Sequence, residues 1–591
     1  MAKKVYILGA GYAGVEAALT LYKKKKKKDD TEIYVIDRNS HHTLFTLLHE
    51  VAGNRIEDEI AQVPLQNIFQ YTDIKIIKDE IETIDFANKK LVSGSAEYIY
   101  DYLVISSGSG PDDCGVKGVK ENGFTLWSVE DAKKLKNHVQ DCFNRALTEK
   151  NKEKRKALLT FVIGGGGFTG VETAGELSLW TRQLCKEYGI SRDEAKVVIV
   201  EAQQSILTNL SAPNLKKSRD YLVKKLGVQV LEGSAVVEAA PGAVKLASGT
   251  RILTQTLIWT AGMKGSNLAE KIDIEVGEDQ RIKVDEFTNT QYENVFAAGN
   301  AALFNAGDYY LPKKVEFARQ TGRRAAKNIL ADIRGKEKDI LRPQLFGIAV
   351  SVGSFFAVSN FIGIRFPRFL SILIKYLMNV KYLFGIGGFE LASRYLKAEI
   401  FYKKQKKFLL EEHYSKPTLA YWLVPIRLFL GYAWLMEGVA KVKEGWLENA
   451  MLAGRAADAG TSASVTETGE KVFRIVADHT PGWYAWIAET LIVPHGLLFQ
   501  TLIVITEIGL GLAFISGTFT FLAGLIALGL NVNFLLSTGL LETTWWYIPA
   551  AICMLGGAGR AFGVDHYLIP YITRQWRYFI RNKRIKLWLI R

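Results

Sequence analysis

Two patterns of apolar residues divide the chain. Up to about residue 340, short β-prone runs such as Val5–Leu8 alternate with helical patterns such as Val15–Tyr22. Strands that alternate with helices predict an α/β domain with parallel sheets. From Thr418 onward, four apolar runs approach the roughly 20 residues that a helix needs to cross a bilayer. They cover about 418–440, 491–515, 519–540 and 544–562, which predicts an all-α four-helix transmembrane bundle.

Composition narrows the class of protein. The 591 residues include 75 Lys and Arg against 61 Asp and Glu, a net charge of +14, and 48% are apolar, which excludes a disordered chain. The four cysteines are far apart, which excludes a disulfide scaffold and a paired-cysteine metal site. The basic run Lys23–Lys28 is either a solvated helix end or a contact to anionic lipid. No nucleic-acid-binding module is visible, and no cleavable signal follows Met1, so a secreted catalytic domain is not expected.

A glycine-rich turn follows the first predicted strand. Gly9, Gly11 and Gly14 stand between Val5–Leu8 and the first helical pattern. The first glycine makes the turn, the second lets a diphosphate approach the backbone, and the third lets helix and strand pack closely. The next strand ends at Asp37, which is placed to accept hydrogen bonds from a ribose. The segment therefore predicts a dinucleotide site.

The same design occurs a second time. A strand at Leu158–Ile163 precedes a glycine turn and the helix Val171–Leu179, and another strand, Val197–Val200, ends at Glu201. The glycines of this turn are Gly165, Gly167 and Gly170. Two dinucleotides on one chain most simply mean a flavin and a nicotinamide, here FAD and NADH. The Glu201 carboxylate would repel a 2′-phosphate, which favours NADH over NADPH.

Three further strands end in small residues. They run into Gly108, Gly262 and Asn300, respectively. In this order the segments resemble the two-dinucleotide-binding (double Rossmann) flavoprotein fold, in which the NADH domain is inserted into the FAD domain. The resemblance implies an FAD domain at 1–155 and 270–345 that uses Gly108 and Asn300. It implies an NADH domain at 156–269 that uses Gly262.

Within that fold, the sequence resembles the type II NADH dehydrogenases, the non-pumping NADH:quinone oxidoreductases. The resemblance lies in Leu44–Ala52, Phe161–Leu177, Val315–Gly322, Ser351–Val358 and Val380–Gly388. It implies hydride transfer from NADH to FAD and then two electrons to a membrane quinone, menaquinone being expected. Related enzymes commonly form homodimers. Three positions depart from the family pattern: Asn300 replaces an Asp, Thr46 a Pro, and Glu316 the first Gln of the quinone-site pattern.

The resemblance also implies roles for four side chains. Glu172 would lie where nicotinamide meets flavin and help to position or relay protons; otherwise it is a glutamate stabilised by the dipole of its helix. Glu316 and Gln320, four residues apart on one helix face, would meet the quinone headgroup; otherwise they form an exposed polar pair. Lys381 would face the flavin edge, or lie on a helix at the membrane surface.

The positions without cysteine separate related activities. Disulfide reductases of this fold need a cysteine pair beside the flavin, and Arg38–Gln70 contains no cysteine. Sulfide:quinone oxidoreductases need a late cysteine, and none lies between Cys185 and Cys553. Direct transfer from NADH to quinone is therefore favoured. Another quinone-reducing flavoprotein, such as one fed by sulfide, is an alternative of the same class that the missing cysteines oppose. A nucleotide-binding, redox-responsive membrane protein without turnover is the alternative that Asn300 and Glu316 leave open.

The later sequence predicts contact with a membrane. Phe361–Phe384 is apolar but carries four basic residues, which is typical of an interfacial helix within a membrane-associated region at 346–415; a core helix of the catalytic domain is the alternative. Residues 416–575 resemble the DoxX-like membrane family through Arg427–Lys441 and Gly556–Asp565. The basic tail at 576–591 predicts cytoplasmic ends. The catalytic domain is thus expected on the cytoplasmic side of a bacterial membrane.

Four polar residues interrupt the apolar runs of this second half. Polar groups within membrane spans are costly and are functional candidates by default. They would bind a quinone, relay protons, or pair with one another to hold the bundle. The four residues are Arg427, Glu437, His495 and Glu507.

Overall fold

The protein is described by a computed structural model that covers residues 2–307, 309–345, 347–361, 364–401, 420–453, 463–465, 471–477, 480–537 and 545–583. The chain divides into two compact units, the first reaching Ser415 and the second running from Lys416 to Ile585. Each unit contains apolar clusters of its own.

The first unit alternates strands and helices. Its strands are β1 (Lys3–Leu8), β2 (Thr31–Asp37), β3 (His41–Thr43), β4 (Gln62–Pro64), β5 (Lys75–Lys78), β6 (Ile81–Asp85), β7 (Lys90–Ser93), β8 (Glu97–Ile99), β9 (Tyr102–Ile105), β10 (Ser109–Pro111), β11 (Gly123–Phe124), β12 (Thr160–Gly164), β13 (Lys196–Val200), β14 (Gln229–Leu231), β15 (Val236–Ala240), β16 (Ala243–Leu246), β17 (Arg251–Leu253), β18 (Thr256–Trp259), β19 (Met263–Gly265), β20 (Ile282–Val284), β21 (Val295–Ala297), β22 (Ala302–Phe304), β23 (Gly347–Ser351), β24 (Ala357–Phe361) and β25 (Ile364–Arg365). Its α-helices are α1 (Tyr12–Lys24), α2 (Leu48–Ala52), α3 (Leu65–Phe69), α4 (Val119–Asn122), α5 (Val129–Thr148), α6 (Lys152–Leu158), α7 (Phe168–Tyr188), α8 (Ala212–Asp220), α9 (Val315–Ile333) and α10 (Arg368–Phe401).

Two parallel five-stranded sheets form the frame of this unit. The first has the order β21-β9-β1-β2-β5 and the second the order β11-β18-β12-β13-β14. The central strands β1 and β12 lead into the two glycine turns and have fully buried apolar side chains, as expected of parallel strands covered on both faces. Strand β21 returns to the first sheet after the second sheet is complete. The predicted α/β fold with an inserted domain is therefore confirmed.

The edge of the second sheet precedes the expected domain boundary. Strand β11 pairs in parallel with β18, Gly123 opposite Leu257. It thus belongs to the second sheet although it lies before residue 156, where the sequence analysis began that domain. The difference arises because the chain passes from β10 to the second sheet, adds β11 to its edge, and only then forms the long helix α5.

Helix α10 consists of two helical arms that meet at Gly388. This glycine has φ +70°, ψ −157°, which breaks the helical path. Tyr382 in the first arm and Tyr395 in the second arm are buried against the first unit, whereas Phe369 and Phe389 are 74% and 70% exposed. The predicted interfacial helix is thus amphipathic and also packs on the rest of the first unit. The lysines at 403–407, in the later part of the predicted membrane-associated region 346–415, lie beyond Phe401 and outside the described residues.

The second unit is a helical bundle with three short strands. The strands are β26 (Leu452–Ala453), β27 (Ala463–Val465) and β28 (Lys471–Arg474), and the helices are α11 (Leu423–Lys443), α12 (Gly482–Ile487), α13 (Gly496–Ser516), α14 (Thr520–Ser537), α15 (Tyr547–Met554) and α16 (Asp565–Lys583). Helices α11 and α13 pack closely at glycines: a Cβ on Gly431, Gly438 or Gly511 would lie within 3 Å of the facing helix. Close approach at small residues is typical of helices packed in membranes.

Within the described residues, four helices are long and apolar enough to cross a membrane. They span Phe369–Glu399, Leu423–Lys443, Gly482–Ser516 and Thr520–Ser537. The last three coincide with the first three predicted runs. The fourth predicted run, 544–562, differs, because α15 has only eight residues, about 12 Å of helix. The chain turns at Gly556 and Gly557, and Gly557 has φ +80°.

Buried polar groups of the bundle pair with one another or with backbone. The Arg427 guanidinium donates hydrogen bonds to the carbonyl oxygens of Ala558, Ala561 and Phe562 at 2.9–3.0 Å. The Lys441 ammonium donates to both carboxylate oxygens of Glu507 at 2.8 and 2.9 Å. Structural pairing is thus the alternative that the contacts of Arg427 and Glu507 favour.

The other two candidates contribute less to the bundle interior. The Glu437 carboxylate is 53% exposed and lies 3.8 Å from the Lys441 ammonium. His495 precedes α13, and its Nδ1 lies 3.2 Å from the Leu491 carbonyl oxygen on an exposed surface. Neither contact places a second charge inside the helix packing.

We expect Lys441→Met to destabilise the bundle, because it leaves the Glu507 carboxylate, only 1% exposed, without its cation. Removing one partner of a buried ion pair typically costs about 3–5 kcal/mol. The double variant Lys441→Met/Glu507→Leu should regain most of that loss, since apolar replacement of both partners is often neutral. The thermal aggregation temperature in detergent measures the stability of both variants. An equal loss of stability in the single and the double variant would contradict a pairing role.

Candidate active site

The first glycine turn joins β1 to α1. Gly9 has φ +99°, and a Cβ on Gly14 would lie 1.9 Å from the Gly9 carbonyl oxygen, so both positions require glycine. A Cβ on Gly11 would meet nothing within 4 Å. The open space therefore lies above the N-terminus of α1, where unpaired backbone N–H groups bind phosphate. These residues fit the diphosphate of a dinucleotide.

The second glycine turn repeats this geometry between β12 and α7. Gly165 has φ +109°, and a Cβ on Gly170 would lie 2.0 Å from the Gly165 carbonyl oxygen. A Cβ on Gly167 would again meet nothing within 4 Å. The predicted glycine roles are thus distributed in the same way in both turns: turn, open cradle, close packing.

An acidic side chain closes each turn. Asp37, at the end of β2, accepts hydrogen bonds from the backbone N–H of Ala10 and Asn39, both at 2.7 Å. Glu201 follows β13 and accepts from the N–H of Gly166 at 2.5 Å and Gln203 at 2.7 Å. Both carboxylates remain partly exposed beside their turns. Their position is the one from which a carboxylate accepts hydrogen bonds from ribose hydroxyls.

A hydroxyl group braces each turn, which the sequence analysis did not identify. Ser106 Oγ, after β9, lies 3.0 and 2.9 Å from the carbonyl oxygens of Leu8 and Gly9. Thr260 Oγ1, after β18, lies 3.0 and 3.2 Å from those of Gly164 and Gly165. The sequence contained a signal for these residues: each hydroxyl directly follows a strand, β9 or β18, that pairs with the strand leading into a glycine turn.

Two further residues predicted to bind FAD, Gly108 and Asn300, lie beside the first glycine turn. Gly108 has φ +75° and open space around its Cβ direction. Asn300 donates a hydrogen bond to Ser109 Oγ at 3.3 Å, and a Cβ on the preceding Gly299 would lie 2.8 Å from the Ala13 Cβ of α1. A Cβ on Gly262 would lie 2.5 Å from the Cys114 sulfur, so this position also requires glycine for packing, and its contact with NADH stays a prediction.

Glu172 lies in the first turns of α7, close to the second glycine turn. One carboxylate oxygen accepts hydrogen bonds from the N–H of Ser351 at 3.2 Å and from its Oγ at 3.1 Å. The other lies 3.8 Å from His49 Nδ1, and the side chain is 17% exposed. Burial raises the pKa of Glu172, although the Lys375 charge opposes this effect. Glu172 is thus held by partners and is more readily protonated than an ordinary glutamate.

Glu172 borders a group of charged residues that we call the buried charge cluster. Arg55 is 1% exposed and contacts three carboxylates: Glu50, Glu176 at 3.3 Å and Glu399 at 2.8 Å. Lys375 donates to Glu50 at 2.7 Å and to Ser351 Oγ at 2.8 Å. The members are His49, Glu50, Arg55, Glu172, Glu176, Lys375 and Glu399. They join α2, α7 and both arms of α10.

The protonation of this cluster follows from burial and charge. Burial disfavours ionisation of Glu50, but Arg55 and Lys375 outweigh it and hold the pKa of Glu50 well below its usual range. Burial raises the pKa of Glu176, with Arg55 opposing. Burial and then Lys375 lower the pKa of His49 to about 4, so this imidazole is neutral at pH 7.

Glu316 and Gln320 lie together on α9, as predicted. Gln320 Nε2 donates to Glu316 Oε1 at 3.3 Å. The same amide also binds the backbone of Gln344, donating to its carbonyl oxygen at 2.6 Å and accepting from its N–H at 2.9 Å. Gln320 therefore holds the segment after α9 in place through its side-chain amide.

A histidine links α10 to the first glycine turn. His42 is fully buried; its Nδ1 lies 2.9 Å from the Ala10 carbonyl oxygen, and its Nε2 lies 2.9 Å from the Tyr382 hydroxyl. Burial lowers the pKa of His42 to about 4, so the neutral ring donates from Nδ1 and accepts at Nε2. The neighbouring Lys381 is exposed. The contact to the turn thus comes from Tyr382.

Sequence reasoning missed most of the buried charge cluster. Its members lie far apart in the sequence, and the contacting residues Arg55 and Glu399 are separated by 344 positions. One local signal was available: Glu176 follows Glu172 by four residues, which puts two carboxylates on one helix face. The pair His49–Glu50 within an apolar segment was the other.

The comparisons with known families follow the division into two units. Residues 3–322 match the family model described as pyridine nucleotide-disulphide oxidoreductase, and residues 422–588 match that of the thiosulfate:quinone oxidoreductase (TQO) small subunit DoxD. The first match covers more than half of the chain. The chain therefore belongs to the pyridine nucleotide-disulphide oxidoreductase family.

The relatives define the group within that family. The chain is 30% identical over 397 residues to the type II NADH:quinone oxidoreductase of Staphylococcus saprophyticus, which covers 66% of this chain and 98% of the relative. It is 29% identical, with the same coverage, to the enzyme of that name from Staphylococcus aureus. The catalytic unit thus groups with the type II NADH:quinone oxidoreductases, as the sequence resemblance implied.

Solved structures share the fold. NDH2 from Plasmodium falciparum aligns with TM-score 0.61 at 15% identity, over 69% of this chain and 100% of that chain. The sulfide:quinone oxidoreductase from Aquifex aeolicus aligns with TM-score 0.54 at 17% identity, over 65% and 92%. At these identities the likeness shows the fold alone.

Proposed function

We propose that this protein is a membrane-bound NADH:quinone oxidoreductase that contains FAD. The two glycine turns are the main support for this proposal. Each provides a dinucleotide site with open space at its second glycine and a carboxylate, Asp37 or Glu201, bound to the backbone of the turn. When bound, FAD accepts a hydride from NADH and passes two electrons on to a quinone. The family membership of the catalytic unit supports the same activity.

The residues divide the work between the two turns. Asp37, Gly11, Gly108 and Asn300 would hold FAD at the first turn, and Glu201 and Gly167 would hold NADH at the second. Asn300 keeps a hydrogen-bond donor and acceptor where the family has a carboxylate, so it can still bind a ribityl hydroxyl. Glu172 would lie on the nicotinamide side, and Glu316, Gln320 and Lys381 on the quinone side, as the resemblance implies.

Partners and location belong to the same proposal. The four candidate membrane helices and the DoxD match support a membrane protein whose quinone arrives from the bilayer. We propose the bacterial cytoplasmic membrane, with the catalytic unit on the cytoplasmic side, and a homodimer as the assembled form. The second unit would anchor the enzyme or guide quinone, and menaquinone is the expected acceptor.

Spectroscopy of the purified protein tests the activity directly. The protein should be yellow, NADH should bleach the flavin band in a stopped-flow mixer, and menaquinone in proteoliposomes should restore it. A colourless protein that stays inert when supplied with FAD would refute the proposal. A yellow protein that NADH does not bleach would favour the redox-responsive alternative. Bleaching by sulfide would favour a sulfide:quinone oxidoreductase, which the spacing of the cysteines disfavours.

The Glu201 carboxylate should determine coenzyme choice. We expect Glu201→Gln to raise KM for NADH about 10-fold, because a charge-assisted hydrogen bond to ribose is worth roughly 1.5–3 kcal/mol. KM for NADPH should fall, since the repulsion of the 2′-phosphate is removed. Steady-state kinetics with both coenzymes checks this, with Glu232→Gln as a control near the same turn, where Glu232 pairs with Arg219. An unchanged NADH/NADPH ratio would contradict the assignment.

A further inference from the structure

A narrow cavity lies between α9, β22 and the segment that precedes α9. Gly299, Asn300, Arg281 and Lys313 contribute to its lining, together with apolar residues. It has room for about one water molecule. Because Asn300 is the residue proposed to hold the ribityl chain of FAD, this cavity borders the proposed flavin site.

Two cations of this lining share a single carboxylate. Arg281 is 7% exposed, and its Nε donates a hydrogen bond to Asp279 at 2.6 Å. The Lys313 ammonium lies 3.3 Å from the same carboxylate and donates to the Met263 carbonyl oxygen at 2.5 Å. None of the described residues that line the cavity is acidic. Two cations against one carboxylate leave a net charge of +1 at the cavity wall.

Asn300 preserves this positive charge. Its side-chain amide donates to Ser109 Oγ at 3.3 Å, which holds it beside the cavity. The family has an aspartate at this position, and a second carboxylate in addition to Asp279 would neutralise the wall. The replacement by asparagine therefore changes the electrostatics of the proposed flavin site while it retains a hydrogen-bonding side chain.

Asn300 and Lys313 contact the same two-stranded ribbon. Ser109, the partner of Asn300, begins β10, and Met263, the partner of Lys313, begins β19. Pro111 lies opposite Met263 in this antiparallel pair, two positions after Ser109. Two residues of a strand span roughly 7 Å. The positive wall therefore begins close to the group that would hold the ribityl chain.

The N-terminus of α9 adds to the positive potential. The helix begins at Val315, two residues after Lys313, and among the described residues no side chain caps it. The dipole of a helix places roughly half a positive charge at this end. Glu316 of the first turn contacts Gln320 and does not belong to the lining of the cavity. Because the cavity admits so little water, its charges are screened less than in solution.

We propose that Arg281, Lys313 and the uncharged Asn300 form a positive wall that stabilises reduced FAD and so raises the midpoint potential of the flavin. The inference rests on the proposed function, because it needs FAD at the first glycine turn. A hydride leaves the nicotinamide with the electron pair of its C–H bond and forms an N–H bond on the neutral flavin ring. The ring thereby gains a negative charge, which a nearby positive charge stabilises. No proton is taken up in this step.

Spectroelectrochemical titration of the purified, FAD-loaded protein in detergent tests the positive wall. Asn300→Asp adds a negative charge and Lys313→Met removes a positive one, so each should lower the midpoint potential of the flavin. We expect a tenfold change in the equilibrium constant, which is about 30 mV for a two-electron couple. Lys336→Met is the control and should leave the potential unchanged, because Lys336 is exposed beyond the far end of the 19-residue helix α9. An unchanged or raised potential in both test variants would overturn the proposal.

Sulfite provides a second measurement that needs neither NADH nor quinone. Sulfite adds its electron pair to the oxidised flavin ring, which bleaches the flavin and leaves a negative charge on the ring. Its dissociation constant should rise about tenfold in Asn300→Asp and in Lys313→Met, by the same electrostatic argument. A merely structural role would change retention of FAD without this shared shift, and that result would overturn the proposal.

The outcomes separate this inference from the proposed function. If NADH fails to bleach the flavin of the unmodified protein, the proposed function fails, whereas the potential and the sulfite affinity still decide the role of the positive wall. If NADH bleaches the flavin but neither quantity responds to the two substitutions, the proposed function stands and the inference fails. A protein that binds no FAD would overturn both.

Discussion

Replacing Arg55 with methionine is expected to cost the catalytic unit about 3–5 kcal/mol of unfolding free energy, the usual result of removing one partner from a buried ionic network. Arg55 is 1% exposed and contacts the carboxylates of Glu50, Glu176 and Glu399. Methionine has a similar length but no charge, so three buried carboxylates would depend on Lys375 alone. Chemical unfolding followed by flavin fluorescence measures the loss.

The deficit should depend on pH with a definite sign. In the variant the uncompensated carboxyls have pKa values above those of the unfolded chain, so the folded variant binds more protons than the unfolded chain near neutral pH. Its stability must then rise as the pH falls. The difference from the unmodified protein should be largest above pH 7 and shrink toward pH 5.

An exposed arginine provides the comparison for this experiment. Arg145 pairs with Asp141 at 3.4 Å, and both side chains are more than half exposed. Arg145→Met should change stability by less than about 0.5 kcal/mol, as exposed pairs do. Equal effects of the two substitutions, or a deficit at Arg55 that grows at low pH, would show that the buried charge cluster does not stabilise the fold through its charges.

The second large effect is expected at the open glycines of the two turns. Gly11→Val should fold but lose FAD, because the new side chain points into open space that the diphosphate needs. Gly167→Val should remain yellow yet lose NADH affinity by about 100-fold or more, since several charge-assisted hydrogen bonds of roughly 1.5–3 kcal/mol each are at risk. The two variants would thus separate the two cradles.

The measurements for these variants are simple. Absorbance gives the flavin content, and titration of the flavin band with NADH gives the affinity. Dithionite serves as the control, because it should bleach Gly167→Val as fully as the unmodified protein. Gly170→Val, where a Cβ would lie 2.0 Å from a carbonyl oxygen, should instead misfold. Normal NADH binding by Gly167→Val would contradict the position assigned to the second dinucleotide.

The fold of the catalytic unit could be predicted from local sequence patterns. The buried charge cluster and other tertiary contacts could not. The two strand–turn–helix segments were predictable because turn, cradle and packing glycine occupy fixed positions within six residues. The acids Asp37 and Glu201 were equally predictable, since each ends the next strand. The sequence did not reveal that Gly262 packs against Cys114, because a small residue after a strand looks the same whichever group it faces.

Other features depend on tertiary contacts that no local pattern reveals. The roles of Lys375 and Glu399 arise only because α10 bends at Gly388 and returns both arms to α2. In sequence, Lys375 looked like one basic residue of an interfacial helix. The role of Gln320 was likewise not predictable, because its side-chain amide binds the backbone of Gln344. In both cases a polar residue on a helix was visible, whereas its partner was not.

The Arg55–Glu399 contact also has a consequence for synthesis of the protein. The two residues are separated by 344 positions, and a ribosome that adds about 5–20 residues per second needs roughly 20–70 seconds to make that stretch. Throughout this time the nascent guanidinium lacks one of its carboxylates. The catalytic unit therefore completes its interior only as the translating ribosome reaches the segment that leads into the bilayer, so membrane targeting and final folding of the enzyme fall in the same interval.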